Sequence, residues 1–318
     1  MSKLFIIGNG FDLDHKMATK YEDFHTFLKE EYCLNEEDEG WLDKPFDIQE
    51  DKHGDSIPDE REIARLFCGL VSKSENYRLW RDVENDMGLF DYYECFDDSC
   101  HPETDMDDKY DRQRTHAIFN SEDRANEIYS VLNDVEPILR KWIENVKICD
   151  KKNPLFKLLI NPKDDLFLNF NYTKTLENLY GCNNVCHIHG CIDNGEKLTI
   201  GHGNDKVDFY DDNNLPDSTV TRGTLTELHR KLRKNTREVI ERNRTFFDKL
   251  KESDIKNIYS YGFSFSSVDI PYIQYICSIL DTSDITWYLN NYCKDHLECH
   301  KTIIQLAGFK GNFDIFSV

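Results

Sequence analysis

The sequence lacks any run of about 18 apolar residues, the length that a helix needs to cross a bilayer. It also lacks a basic leader with a cleavage site, since Met1-Ser2-Lys3 leads directly into the strand-like Leu4-Phe5-Ile6-Ile7. Its 11 cysteines form no C-x-x-C pair, and their odd number and scattered spacing are typical of reduced thiols. We therefore expect a cytoplasmic protein that has neither structural disulfides nor a membrane partner.

Basic residues are scarce in one part of the chain. Residues 31–111 hold 26 Asp/Glu against 8 Lys/Arg, which accounts for −18 of the net charge of −21. The same block has few strand signals and many turn formers, so we predict an acidic insertion that is partly helical and partly loop. An acidic chain repels phosphates at long range and lacks the overall positive charge that favours binding to duplex nucleic acid.

The local exception is the basic stretch from Thr224 to Glu252. It begins with Thr224-Leu225-Thr226-Glu227, a capping-box pattern that predicts the start of a helix. Two interpretations of this basic helix stay open. It is either a solvated face, free or docked against the acidic insertion, or a contact surface for phosphate or RNA.

Apolar strand patterns alternate with helical ones along the rest of the chain. The clearest helical stripe runs from Glu122 to Val146, where Pro137 is expected to introduce a bend, and further helices are predicted near Pro271–Leu280 and Asp295–Leu306. This alternation predicts an α/β fold with a Rossmann-like, mostly parallel sheet and helices on both faces, without internal repeats. The predicted strands are Leu4–Ile7, Asp165–Phe170, Val185–Ile188, Leu198–Ile200, Lys256–Tyr261, Ile285–Leu289 and Phe313–Phe316.

The first strand ends in a glycine turn, Gly8-Asn9-Gly10-Phe11-Asp12. Two glycines around one residue allow backbone N–H groups to approach a phosphate closely in front of a helix. A full dinucleotide fingerprint would have a third glycine where Leu13 stands. A plain tight turn is therefore an equally good interpretation of this segment.

A second glycine turn follows a later strand, at Gly262-Phe263-Ser264. Its small residue and its hydroxyl fit a nucleotide phosphate or ribose in the same way as the first turn. Ser267 or Asp269 would alternatively act as an ordinary N-cap before Ile270-Pro271. The two interpretations are compatible with each other.

Two other strands stop abruptly on the polar residues Asn171 and His189, at the end of the sheet where open α/β folds bind ligands. A histidine here is either a base or a hydrogen-bonded core residue. Strand alternation predicts that His187 and His189 share one face and that Cys186 points away, so we expect no metal site. Asp82 and Glu84 are solvated, support the ligands of a site from behind, or are themselves ligands of a nuclease metal.

Several motifs from both ends of the chain occur together. They are Leu4-Phe5-Ile6-Ile7-Gly8-Asn9-Gly10-Phe11-Asp12-Leu13, Thr19-Lys20-Tyr21-Glu22-Asp23-Phe24, Trp80-Arg81-Asp82-Val83-Glu84, Phe170-Asn171-Tyr172-Thr173 with Leu176-Glu177, His187-Ile188-His189-Gly190, and Tyr261-Gly262-Phe263-Ser264 with Asp269. In this combination the chain resembles the bacteriophage abortive-infection AbiH family. The resemblance implies one Rossmann-type domain over residues 1–318, with the acidic insertion inside it.

The AbiH pattern is similar, more distantly, to sirtuin-like NAD-consuming domains of anti-phage effectors. That similarity implies that Asn171 positions ribose or water and that His189 is the base. It further implies a nucleotide site formed by the residues Gly8, Asn9, Gly10, Phe11, Asp12, Gly262, Ser264 and Asp269. Thr173 departs from the pattern, which usually has an acidic residue there, and the missing four-cysteine zinc module disfavours deacylation.

Three functions follow, of different classes. The leading one is an anti-phage effector that cleaves NAD at the nicotinamide–ribose bond, with NAD as substrate and no tightly bound cofactor. The second is a nucleotide-binding sensor or partner-binding module without catalysis. The third is an RNA- or DNA-cleaving toxin that uses Asp82, Glu84 and the basic helix 224–252. The defence role implied by the resemblance also predicts control by self-assembly or by a phage-derived trigger.

Overall fold

The strand at the centre of the sheet, β1 (Ser2–Ile7), is apolar on both of its faces. Leu4 and Ile6 belong to one buried cluster, whereas Phe5 and Ile7 belong to a second one, and none of the four is exposed. A strand with two apolar faces must be covered by a layer on each side. The short run Leu-Phe-Ile-Ile therefore requires a three-layer fold.

The computed structural model describes residues 2–40, 48–50, 56–73, 83–96, 98–100, 110–148, 150–204 and 218–318. The strands in those residues are β1, β2 (Ile48–Glu50), β3 (Ser56–Pro58), β4 (Leu166–Asn169), β5 (Val185–His187), β6 (Ile255–Tyr261), β7 (Thr286–Asn290) and β8 (Asn312–Phe316). The helices are α1 (Asn9–Asp14), α2 (Tyr21–Glu31), α3 (Glu36–Gly40), α4 (Glu60–Lys73), α5 (Val83–Leu89), α6 (Tyr110–Asn133), α7 (Val135–Asn145), α8 (Pro154–Leu159), α9 (Ser218–Leu232), α10 (Thr236–Arg242), α11 (Arg244–Glu252), α12 (Ile270–Ile279) and α13 (Leu297–Leu306). A π-helical turn spans Leu176–Tyr180, and 3-10 turns span Tyr92–Cys95, Asp98–Cys100, Ile192–Asn194 and Asn291–His296.

Within the described residues, the main sheet has six strands in the order β5-β4-β1-β6-β7-β8, and each neighbouring pair is parallel. Counting only these strands along the chain, the order is 3-2-1-4-5-6, the order of dinucleotide-binding Rossmann folds. Helices α10 to α13 contribute to the core cluster on one face, and α8 and the π-helical turn contribute to the other. The predicted α/β fold with a parallel sheet and helices on both faces is confirmed.

The predicted strand Leu198–Ile200 is wrong. This segment pairs with the loop after β5 instead of with a strand, because the Thr199 N–H donates to the His189 carbonyl at 2.8 Å. The hydroxyl of Tyr172 also donates to the Thr199 carbonyl. Three apolar-flanked residues are too few to distinguish a strand from a segment that packs across a loop.

The predicted helix Glu122–Val146 is two helices, α6 and α7, which are separated at Asp134. Pro137 explains the interruption, since proline has no N–H to donate to the carbonyl of residue 133 and its ring would clash there. The ring fits without strain in the first turn of a new helix. At the expected bend, the helix is therefore interrupted at Asp134.

The predicted single helix over 224–252 is also wrong, because three helices, α9, α10 and α11, cover this range. Helix α9 already begins at Ser218, so Thr224 lies inside it and caps nothing. Asn235 caps α10 instead, since its side chain accepts from the Glu238 N–H at 3.1 Å. Several basic side chains here pair with carboxylates, so the basic residues do not form one helical face. The pairs are Arg230–Glu227, Arg244–Glu241 and Lys234–Glu84.

The chain divides into two compact units, each made of separate segments. The first unit holds Met1–Lys20, Trp142–Ile200 and Asn235–Val318, and it contains the six-stranded sheet. The second holds Tyr21–Lys141 and Gly201–Lys234, and it includes the residues of the acidic stretch 31–111. Across the described part of the chain, no helix combines the length and apolar character required to span a bilayer.

Candidate functional site

The carboxyl ends of four adjacent strands place the predicted site residues along one edge of the sheet. Strands β5, β4, β1 and β6 are consecutive neighbours in it. His189 follows β5, Asn171 follows β4, the first glycine turn follows β1, and Gly262 follows β6. Ligands of such folds bind outside this edge, where the strand order reverses. All of these residues belong to the first unit.

The two glycine turns contact each other through their backbones. The N–H groups of Gly8 and Gly10 donate to the carbonyls of Tyr261 and Gly262, at 3.0 and 2.9 Å. A Cβ atom on Gly8 would lie 2.5 Å from the Gly262 carbonyl oxygen, and one on Gly262 would lie 2.3 Å from the Phe11 nitrogen. The glycines are therefore required for this loop contact. The two donated N–H groups face carbonyls here, and phosphate binding by the turns stays a prediction.

Asn9 and Phe11 hold the first turn in place. The Asn9 side chain donates to the Thr19 carbonyl at 2.7 Å and accepts from the Thr19 hydroxyl at 2.6 Å. Phe11 is fully buried and packs edge-on against Tyr261, with ring centroids 5.2 Å apart. Both side chains thus fix the shape of the loop that follows β1.

Asp12 is a buried carboxyl group beside the ends of β1 and β4. Its Oδ2 accepts from the Thr173 hydroxyl at 2.5 Å, and Thr173 lies 3.1 Å from the Thr175 hydroxyl. Burial raises the pKa of Asp12 from 3.8 to about 6, while the hydrogen bonds from the two threonines oppose this rise. Thr173, where the sirtuin-like pattern has an acid, is therefore in contact with a carboxyl group from another element.

Asn171 is held by three hydrogen bonds. Its side-chain amide donates to the Gly8 carbonyl at 3.2 Å, and its backbone N–H donates to the Asn169 side chain at 3.1 Å. Its own carbonyl lies 3.0 Å from Nδ1 of His187. Asn171 thereby connects the first glycine turn to the strand that leads to His189.

His189 lies beside a carboxylate in a largely aromatic setting. Its Nε2 is 3.3 Å from Oδ1 of Asp269, and both side chains are mostly buried. The ring of Phe170 meets the imidazole edge-on at 5.3 Å, and Tyr272 is 5.8 Å away. The next residue, Gly190, has φ of +87°, and a Cβ atom there would lie 2.9 Å from the Lys197 carbonyl. Gly190 is therefore a structural requirement of this turn.

The two histidines do not share a face, which corrects the strand-alternation prediction. Strand β5 ends at His187, and the Gly190 N–H donates back to the His187 carbonyl, so a turn reorients His189. His187 lies 2.8 Å from Glu177, whereas His189 faces Asp269. The contact of Glu177 with His187 was missed by the sequence reasoning, since only the place of Glu177 in a motif was visible.

The second glycine turn has an unusual backbone. Gly262 and Phe265 have φ of +65° and +56°, in the left-handed region. A bulky residue there is strained, and packing holds it, since the Phe265 ring contacts Phe263 and His300 at 4.8 Å. Ser264, between Gly262 and Phe265 in the sequence, is exposed. Its role toward a ligand stays a prediction.

The acidic pair proposed for a nuclease lies elsewhere in the chain. Asp82 is outside the described residues. Glu84 is largely buried in the second unit and forms an ion pair with Lys234, at 2.7 Å, whose side chain is fully buried. Glu84 is therefore not a solvated surface acid.

The comparisons with known proteins give one match. The family model described as bacteriophage abortive infection AbiH matches residues 4–291, which include every candidate site residue described above. No curated protein and no solved structure matches the chain. Because the matched region covers most of the sequence, the chain belongs to the AbiH family of bacteriophage abortive infection, which indicates an anti-phage role.

Proposed function

We propose that this chain is an abortive-infection effector that binds NAD at the carboxyl edge of its sheet and cleaves the nicotinamide–ribose bond. The observation that carries the proposal is the position of Asn171. Its amide contacts the glycine turn after β1, and its carbonyl contacts His187, two residues before His189. The amide of Asn171 and the imidazole of His189 thus follow the ends of two adjacent strands, at the edge where Rossmann folds bind nucleotides, and this supports the proposed roles of the two residues.

Cleavage of the nicotinamide–ribose bond needs a group that positions the ribose and a base that accepts a proton. As the bond to nicotinamide breaks, the ribose gains oxocarbenium-like charge, and the oxygen of a water molecule bonds to its anomeric carbon. Nicotinamide leaves with the bonding electron pair, and His189 accepts the proton of the water, which yields ADP-ribose. Imidazole exchanges protons near neutral pH, and a positioned base contributes about 10²–10⁴-fold to the rate.

The test is nicotinamide release from NAD by the purified protein, alone and with extract of phage-infected cells. The extract is included because an effector that depletes NAD must stay inactive until it is triggered. We expect His189→Ala and Asn171→Ala to abolish release. The exposed His116 provides a matched control, and His116→Ala should keep the full rate. A His189→Ala protein as active as wild type would contradict the assignment.

The second candidate is nucleotide binding without turnover, as in a sensor. It is favoured by the position of the two glycine turns, which follow the neighbouring strands β1 and β6 at the edge of the sheet where Rossmann folds bind nucleotides. Calorimetry with NAD separates the two candidates. A binding isotherm that Asn171→Ala weakens, with no nicotinamide released under any condition, would establish the sensor.

A further inference from the structure

The carboxylate of Asp269 occupies the position of a helix N-cap but does not act as one. Asp269 precedes α12, where aspartate commonly accepts from the first N–H groups of a helix. Its side chain makes no such bond to α12, all of whose residues are described. Pro271 in the first turn also removes one of the N–H groups that a cap would satisfy. The carboxylate instead lies 3.3 Å from Nε2 of His189.

We propose that Asp269 is the positioning residue of His189 and selects the ring tautomer that carries its proton on Nε2. This inference rests on the proposed function, in which His189 is the base. With the proton on Nε2 beside the carboxylate, the lone pair that accepts a proton is on Nδ1. The carboxylate also stabilises the imidazolium that forms when the base is protonated.

The surroundings of the pair support this role. The Asp269 side chain is 13 % exposed and that of His189 is 5 % exposed, so water screens the interaction weakly. Phe170 meets the ring edge-on, and Tyr272 packs on it from α12, the same helix that Asp269 precedes. One helix therefore supplies both the carboxylate and part of the aromatic wall that orient the imidazole.

The chain provides an internal control in its second histidine–carboxylate pair. His187 lies 2.8 Å from Glu177 and 3.0 Å from the Asn171 carbonyl, whereas His189 lies beside Asp269. A substitution at Glu177 should therefore change the His187 ring and leave the His189 ring as it was. The two pairs allow each effect to be assigned to its own carboxylate.

The experiment records ring-nitrogen NMR spectra of the full chain, with the His189 signals assigned by their loss in His189→Gln. We expect a wild-type ring with its proton on Nε2 and a mixture of both tautomers in Asp269→Asn. Asp269→Glu should largely restore the wild-type pattern. Glu177→Gln should alter only the His187 signals, and unchanged His187 signals in Asp269→Asn report an intact fold.

Kinetics supply the second readout. If the wild type releases nicotinamide, Asp269→Asn should lower kcat by about 10²-fold with KM unchanged, since a misplaced base slows the reaction without weakening binding. Wild-type His189 signals in Asp269→Asn overturn the positioning role. A tautomer shift in a protein that never cleaves NAD supports that role and contradicts the NAD chemistry, so the two failures are distinguishable.

Discussion

Asp12 links the stability of the folded chain to pH. Its carboxyl group is buried, and its pKa is about 6 in the fold against 3.8 when it is exposed to water. The folded chain therefore binds this proton more tightly than the unfolded chain does. The stability that the proton contributes is complete below pH 3.8 and is lost as the pH rises through about 6.

We expect Asp12→Asn to gain stability relative to the wild type as the pH rises from about 4 to about 7. The gain in the difference of unfolding free energy is about 2 kcal/mol, because asparagine cannot ionise and so avoids the cost of a buried charge. Urea unfolding of both proteins at several pH values measures it. A difference that is constant over this range would show that Asp12 titrates at its ordinary pKa.

The positions of Asn171 and His189 at the ends of two strands could be predicted from the sequence because the signal is local. Asn171 and His189 each end an apolar run, and polarity at a strand end is visible without any partner. The bond between Thr173 and Asp12 joins residues 161 positions apart, and the contact between His189 and Asp269 is also distant in the chain. Such pairs depend on the strand order, which periodicity does not specify.

At the scale of the element, two glycines show how much the contact between the glycine turns contributes to stability. One of them lies in that contact and the other does not, and both have the same left-handed backbone conformation. Gly262 and Gly195 both have φ of +65°. A Cβ atom at Gly262 would meet the backbone of Gly10 at 2.4 Å, whereas no described atom lies within 4 Å of one at Gly195. The two glycines are therefore matched in strain and differ in crowding.

We expect Gly195→Ala to lower the free energy of unfolding by about 1 kcal/mol, the cost of the left-handed conformation alone. Gly262→Ala should lower it by at least about 3 kcal/mol, because the loop after β1 must also move. Thermal or urea unfolding of the two variants measures both effects. Equal losses of stability in the two variants would mean that the contact between the glycine turns contributes little to the free energy of unfolding.

The helix ends of the basic region give a second comparison. Asn235 caps α10 through the Glu238 N–H, so Asn235→Ala should cost about 1 kcal/mol of stability. Thr224 lies inside α9, where alanine is the better helix former, so Thr224→Ala should leave stability equal or slightly higher. Urea midpoints of the two variants test the assignment. A larger loss of stability from Thr224→Ala than from Asn235→Ala would instead indicate that Thr224 caps a helix, as the capping-box pattern predicts.

At the scale of the whole molecule, the second unit contains a buried ion pair between distant parts of the chain. Lys234 and Glu84 are 150 positions apart, and the lysine ammonium lies within hydrogen-bond distance of both carboxylate oxygens. Removing one member of such a pair leaves an uncompensated buried charge. Removing one member of the pair should therefore lower the free energy of unfolding strongly, whereas replacing both members with apolar residues should change it little.

We expect Lys234→Met to destabilise the protein by about 3–5 kcal/mol and the double variant Lys234→Met with Glu84→Leu to recover most of that loss. The exposed pair Arg230–Glu227 is the control, and Arg230→Met should have no measurable effect. Chemical unfolding of the wild type, the single variants Lys234→Met and Glu84→Leu, and the double variant completes the cycle. Additive losses from the two single changes would contradict a direct coupling.

The sheet could be predicted from the sequence in outline because its strands are buried on both faces. Runs such as Leu4–Ile7 have no polar alternation and are separated by helical stripes, which is the pattern of a parallel α/β fold. Element ends were less predictable. The capping pattern at Thr224 occurs inside a helix, and the break at Asp134 depends on a proline three residues later.

The central place of β1 has a consequence for the synthesis of the protein. Its two neighbours, β4 and β6, begin at Leu166 and Ile255, so β1 is made long before either of them. At 5–20 residues per second, roughly 10–50 s pass before β6 leaves the ribosome. Until β4 is made, Leu4, Phe5, Ile6 and Ile7 have no strand with which to pair. The newly made N-terminal strand therefore stays without a pairing partner until about half of the chain has been made.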